Sequence, residues 1–296
     1  MRILSLFDGI SCGMVALERS GIPVERYVAY EIEPNAIKIS KKNYPQIEHC
    51  GDVTTADFTQ YRGFDLLIGG SPCTNWSCAK NHTAKAKREL FINEGEGWEL
   101  FEQYVRALEE AQPRWFLYEN NYRISKNIVE AITSILGVEP IMIDSATVSA
   151  QRRKRLYWTN IPNVTVPEDR GILFRDIAVF EDRYVRHFDD RIRKTIQETP
   201  YGFKYDLGGK GHYSQQDRLY LPDGKAPTVP RCRTDTKFNL YLGDETYKVT
   251  CPLECERLQT LPDNYTEGVP KTRRFEAIGN GWTVDVIAHI LGGIPR

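Results

Sequence analysis

A cysteine that closes an apolar run and a Gly-Gly-Ser-Pro turn is the first residue here with the means to act as a nucleophile. In Gly69-Gly70-Ser71-Pro72-Cys73-Thr74-Asn75-Trp76-Ser77 the thiol follows the strand-like stretch Asp65 to Ile68, and open α/β sheets bind their ligands at the carboxyl ends of their strands. A lone cysteine is more often inert packing than a nucleophile, so other groups must support it. Two fragments do: Tyr118-Glu119-Asn120-Asn121 ends the run Trp115 to Tyr118, and Gln151-Arg152-Arg153-Lys154-Arg155 precedes the run Leu156 to Thr159. Arg153 and Arg155 alternate, so on a strand both would face one side and could grip an oxygen or a phosphate.

A second group of residues is suited to holding a nucleoside. The first strand-like run ends in Leu6-Phe7-Asp8-Gly9-Ile10-Ser11-Cys12-Gly13, where glycine permits a tight turn and close approach of a ligand to the backbone. A strand, glycine turn and helix can also be purely structural. Glu31 ends the next run, about 20 residues on, where this type of fold uses an acid to accept hydrogen bonds from ribose hydroxyls. Asp52, in Cys50-Gly51-Asp52-Val53, is expected at the end of a further strand. The turn lacks Gly-x-Gly-x-x-Gly, which disfavours a dinucleotide with a diphosphate to cradle.

These residues need elements to position them. Expected strands are Ile3 to Phe7, Arg26 to Tyr30, Asp65 to Ile68, Trp115 to Tyr118, Pro140 to Ile143 and Leu156 to Thr159. Between them Met14 to Ser20, Pro34 to Asn43, Glu99 to Ala111 and Asn127 to Leu136 carry apolar residues at helical spacing. The alternation predicts an α/β fold with a doubly wound, mostly parallel sheet. After Pro162 the texture turns charged, aromatic and rich in turn formers, and helical patterning resumes near Thr250. The expected organisation is a catalytic and cofactor-binding domain over 1–161, a smaller loop-rich lobe over 162–244, and a segment over 245–296 that returns to the first domain.

Composition narrows the class. The 296 residues suffice for one sizeable domain and a lobe, and no apolar run reaches the roughly 18 residues that a membrane span needs. The 7 cysteines are odd in number and show no C-x-x-C pair, so no metal cage is expected and free thiols in a cytoplasmic setting are. A formal net charge of -1 offers no overall field for a polyanion. Nucleic acid would have to be held by local clusters, at Arg152 to Arg155, Arg183 to Lys194, Arg231 to Lys237 and Lys271 to Arg274.

The order Phe7-Asp8-Gly9, Glu31, Asp52, Pro72-Cys73, Glu119-Asn120, Gln151-x-Arg153-x-Arg155, Glu256-Arg257-Leu258-Gln259 and Gly279-Asn280 resembles the motif series of the DNA cytosine-5 methyltransferases across nearly the whole chain. Phe7-Asp8-Gly9-Ile10 and Ile68 to Cys73 look most like the animal de novo enzymes; Glu256 to Gln259 and Gly279-Asn280-Gly281 look bacterial, which implies a compact bacterial or phage protein. Thr74 and Asn121 depart from the usual residues after the cysteine and after Glu-Asn. Neither departure removes a reacting group.

The resemblance implies a Rossmann-like methyltransferase fold whose lobe is a target recognition region. It implies S-adenosyl-L-methionine, which has no phosphates to cradle, as cofactor, and a cytosine flipped out of double-stranded DNA as substrate. Cys73 would add to carbon 6 of the ring, Glu119 would carry a proton to the ring nitrogen beside the amine, and Arg153 and Arg155 would hold the base or a phosphate. Phe7, Asp8, Gly9, Ile10, Cys12, Glu31, Ile32, Asp52, Val53, Pro72, Leu100, Asn280 and Trp282 would line the cofactor. The oligomeric state is left open, a monomer being compatible. Rival readings are a tRNA cytosine-5 methyltransferase, a catalytically silent DNA-binding accessory protein, and an enzyme using a modified sulfonium donor.

Overall fold

Apolar residues spaced for strands and helices assemble two units of secondary structure, described separately. The computed structural model describes residues 1–72, 95–205, 218–231 and 238–295. Cys73, Thr74 and Cys78 lie outside the described residues.

The first unit comprises Met1–Asp144, Lys154–Val166 and Ile287–Arg296. Its strands are β1 (Arg2–Leu6), β2 (Arg26–Tyr30), β3 (Glu48–His49), β4 (Leu66–Gly69), β5 (Trp115–Asn121), β6 (Ile141–Asp144) and β7 (Lys154–Thr159), in the order β3-β2-β1-β4-β5-β7-β6. β1 to β5 pair in parallel, and β7 runs antiparallel to both β5 and β6. The expected α/β fold with a mostly parallel sheet is therefore present. α1 (Cys12–Arg19), α2 (Pro34–Asn43), α3 (Glu96–Ala111) and α4 (Lys126–Leu136) provide the crossovers.

Each helix has a local cause. Pro34 opens α2 with its fixed backbone angle while the Glu33 carboxylate accepts from the Ala36 amide, and Gly137, at φ 69°, closes α4 in the left-handed conformation. Trp98, Phe101, Tyr104, Ala107 and Ala111 recur at helical spacing along α3 and are all buried. They pack with Leu67, Tyr118 and Trp158 into one core on that face of the sheet. Each large side chain removed from water here contributes roughly 1.5 to 3 kcal/mol.

The second unit comprises Ser145–Arg153 and Pro167–Val286. It holds α5 (Phe174–Ile177), β8 (Val185–His187), α6 (Asp190–Thr195), β9 (Gln197–Thr199), β10 (Gly202–Lys204), β11 (Arg218–Tyr220), β12 (Asn239–Gly243), β13 (Thr246–Val249), α7 (Pro252–Leu258) and α8 (Lys271–Asn280); α9 (Val284–Leu291) begins in this unit and ends in the first. The strands form a sheet in the order β8-β13-β12-β11-β10-β9. A stretch whose turn formers read as loop thus contains strands of three to five residues, too short to show alternation against their Gly, Asp and Pro neighbours. The helices α7 and α8, expected with a segment returning to the catalytic domain, pack instead into this unit's core through Cys255, Leu258, Phe275 and Ile278.

Candidate active site

The β1–α1 turn carries unusual backbone. Phe7, Gly9 and Ser11 all have positive φ, at 57°, 60° and 59°, a conformation that costs a residue with a side chain on the order of 1 kcal/mol or more. Glycine relieves that cost at only one of the three. Glu31, just past the end of β2, holds the turn: one carboxylate oxygen accepts from the Gly9 amide at 2.8 Å, the other from the amides of Ile32 and Glu33 at 2.8 Å each. Asp8 is half-buried and accepts from Ser5, Ser11 and Tyr27, at 2.6, 2.5 and 2.7 Å. Burial raises its pKa, and the three hydrogen bonds work against that rise.

The remaining first-unit residues expected at the cofactor have distinct surroundings. Ile32 is an exposed apolar side chain, 69% accessible, immediately after Glu31. Ile10, Cys12 and Val53 are buried, Phe7 and Leu100 pack against the core of the helix face, and Pro72 is half-buried. Asp52 corrects one expectation. β3 ends three residues earlier at His49, and Asp52 caps the 3-10 turn Val53–Thr55 by accepting from the Thr54 amide and hydroxyl. It remains an exposed carboxylate. A glycine-lined turn, the accepting carboxylate of Glu31 and an exposed aliphatic side chain beside it fit the ribose and apolar base face of S-adenosylmethionine, with no diphosphate cradle required.

At the end of β5, Glu119 Oε1 lies 3.0 Å from Arg155 Nε on the neighbouring strand, both side chains about six-sevenths buried at 13% and 14% accessible. The pair is diagonal across the antiparallel ladder, since Asn121 stands opposite Arg155 and Tyr157 opposite Glu119. On the other face of β5, Tyr118 and Asn120 fasten the loop after β4. The Tyr118 hydroxyl is 2.6 Å from Ser71 Oγ, and Asn120 Nδ2 donates to the Ser71 carbonyl at 3.4 Å and to the Tyr118 hydroxyl at 3.1 Å. Tyr118 and Ser71 carry this anchoring without having been singled out; strand alternation opposite Glu119 was the available signal.

Arg153 differs from expectation. β7 begins only at Lys154, so strand alternation does not extend back to it. Its buried guanidinium, in the second unit, donates to the carbonyls of Val229, Gly279 and Gly281 at 3.2, 3.1 and 3.0 Å. Gln151 and Gln259 add to the same scaffold: Gln151 bonds the Val229 amide and Leu258 carbonyl, and Gln259 donates to the carbonyls of Ile278 and Gly281. Four hydrogen bonds thereby fix the backbone around Asn280, which is itself exposed; Trp282 is half-buried. Glu256, fully buried, accepts from the amides of Asn264 and Thr266 and from Arg274.

The first unit thus joins a doubly wound sheet, a glycine turn braced by the Glu31 carboxylate at its strand ends, and a carboxyl–guanidinium pair on β5 and β7. The family model for C-5 cytosine-specific DNA methylases matches residues 1–296, and the chain belongs to that family. Its members are DNA (cytosine-5-)-methyltransferases whose methyl donor is S-adenosyl-L-methionine. The chain is 34% identical over 346 residues to the type II methyltransferase M.Eco47II of Escherichia coli, covering 99% of this chain and 80% of that one. It is 38% identical over 122 residues to the orphan methyltransferase M.Rho11sI of Bacillus phage rho11s, an alignment over 40% of this chain and only 23% of the phage protein. Among solved structures, the Schizosaccharomyces pombe Dnmt2 methyltransferase shares the fold with a TM-score of 0.70 at 17% identity, covering 99% of this chain and 97% of that one. The solved structure of a protein encoded within an E. coli prophage gives 0.68 at 18%, over 99% and 98%. Among the described residues no helix is long and apolar enough to cross a membrane.

Proposed function

We propose that this chain methylates carbon 5 of a cytosine flipped out of double-stranded DNA, by way of a covalent adduct with Cys73. The observation that carries the reading is the Glu119–Arg155 pair at the carboxyl end of β5, next to residues that pin the Ser71–Pro72 loop leading into Cys73. Carbon 5 of cytosine is too weak a nucleophile to react unaided. Addition of the Cys73 thiolate to carbon 6 moves the ring's double-bond electrons so that carbon 5 becomes the nucleophilic end of an enamine. Glu119, held through Oε1 by Arg155, would deliver a proton to the ring nitrogen. S-adenosylmethionine, when bound, supplies a sulfonium-activated methyl group. Loss of the carbon 5 proton to a base expels the thiolate, and return of the ring nitrogen's proton to Glu119 restores the neutral ring.

Glu31, Gly9 and Ile32 would hold the cofactor in the first unit. Arg153 acts by fixing the backbone on either side of Asn280. The basic side chains of 162–244 suit phosphate and base-edge contacts.

A duplex with 5-fluorocytosine at the target position tests this. Fluorine blocks the last proton abstraction, so a denaturation-resistant complex should accumulate in the presence of cofactor and vanish in Cys73→Ser. An adduct that persists in Cys73→Ser, or maps to Cys78, sinks the assignment. Parallel assays on tRNA separate the RNA reading, DNA binding with no methyl transfer supports the accessory reading, and mass spectrometry of the product nucleoside reveals any other transferred group.

A further inference from the structure

A chain of hydrogen bonds runs beneath the glycine turn of the first unit and ends on a histidine. Asp8 Oδ2 accepts from Ser11 Oγ at 2.5 Å, Ser11 Oγ lies 2.6 Å from Ser40 Oγ in α2, and Ser40 Oγ lies 3.0 Å from His49 Nε2 at the end of β3. Ser11 and Ser40 are fully buried, so bulk water does not compete for them. Each hydroxyl has one proton to give. With Asp8 ionised, Ser11 donates to Asp8 and Ser40 donates to Ser11, so Ser40 must accept from His49, whose Nε2 therefore carries hydrogen. Nδ1 is then the acceptor nitrogen, and it is buried without a hydrogen-bond partner.

The turn needs such support. Ser11 is the N-cap residue of α1 yet makes no capping hydrogen bond; its hydroxyl is turned inward to the chain. Two residues that are not glycine, Phe7 and Ser11, hold positive φ on either side of Gly9. Strained backbone of this kind persists only where its surroundings over-determine it. The chain provides that restraint from Ser11 and Asp8, and it ties the turn to the strand that leads into Asp52.

We propose that Asp8, Ser11, Ser40 and His49 are positioning residues for the cofactor turn, and that His49 is the proton-sensing end: its neutral ring holds the turn in the nucleoside-binding form and a second ring proton releases it. This rests on the reading of the crevice as the S-adenosylmethionine site. A proton on Nδ1 would be a buried donor with no acceptor, which the ring must move to satisfy. The charged groups facing His49 are Lys41 of α2 and Glu31 beyond β2. Burial chiefly, and Lys41 after it, push the imidazole below its usual range, with Glu31 opposing. Tyr27 of β2 faces Asp8. Cofactor affinity is therefore high near pH 8 and lost on the acid side.

Calorimetric titration of S-adenosylmethionine into the full chain, from pH 5 to pH 8, tests the proposal. Wild-type affinity should fall as the pH drops. Ser40→Ala should bind about tenfold more weakly at pH 8 with a flattened pH response. His49→Gln keeps an amide donor for Ser40 but cannot titrate; it should bind at pH 8 within about twofold of wild type, with its acid fall moved to lower pH where Asp8 alone responds. Thermal melts check that both variants fold. Wild-type pH dependence in His49→Gln, undiminished binding in Ser40→Ala, or an equal pH-independent loss in both, overturns the proposal. Failure of wild type to bind the cofactor at any pH overturns the underlying reading of the crevice instead.

Discussion

Glu119 and Arg155 form a largely buried ion pair across two strands, which in the proposed mechanism positions the acid. Replacing Arg155 by alanine should leave cofactor affinity intact while single-turnover methyl transfer falls about 100-fold, the range of a mispositioned general acid; an unchanged rate would make the pair purely structural. Glu31→Ala removes an acceptor that also braces the Gly9 amide, and its cofactor affinity should weaken by about 1.5 to 3 kcal/mol, read by calorimetry against unchanged DNA binding. Cys251 is a buried thiol whose pKa burial pushes up to about 11, while Cys50 is exposed. Iodoacetamide at pH 8 should therefore alkylate Cys50 in the folded chain and spare Cys251. Because the folded value is the higher one, the unfolded chain loses the proton first, and the stability contributed by Cys251 should drain away as pH rises from about 9 toward 11. Glu31 was legible because strand length and spacing place it at a strand end. Arg153 was not, because its role depends on carbonyls of residues 229, 279 and 281 that no local pattern announces.

Among the elements, those of the parallel sheet were readable because each is a run of buried apolar residues bounded by turn formers, and β1, β2, β4 and β5 fall within a residue or three of their expected ends. β3, only two residues long, left no such run, which is why Asp52 was placed at its end. Two glycines test how tightly elements meet. A Cβ on Gly13 would lie 2.4 Å from Ile68 Cδ1, the far end of a side chain that can shift, whereas one on Gly279 would lie 2.4 Å from the Pro230 carbonyl oxygen and 2.8 Å from the Arg231 amide. Gly13→Ala should cost about 1 kcal/mol and Gly279→Ala about 3 kcal/mol, compared by denaturant unfolding. Reversal of that order would mean that the Pro230 segment yields more readily than the Ile68 side chain.

For the molecule as a whole, a net charge of -1 means that the proposed DNA substrate would be held by local basic groups against a neutral background. Counterion release should still make binding salt-dependent, with a log–log slope of about -3 or steeper; a slope near zero, measured by fluorescence anisotropy, would leave no phosphate contacts to speak of. The first unit is built from three separated stretches of chain, Met1–Asp144, Lys154–Val166 and Ile287–Arg296. The Ser20 hydroxyl, at the end of α1, donates to the carbonyl of Ala288 in α9, 268 residues later. At ribosomal speeds of about 5 to 20 residues per second, α1 waits roughly 15 to 50 seconds for that partner to be synthesised. Throughout that interval α1 lacks this partner, so the first unit can close only after its last stretch of chain has been made.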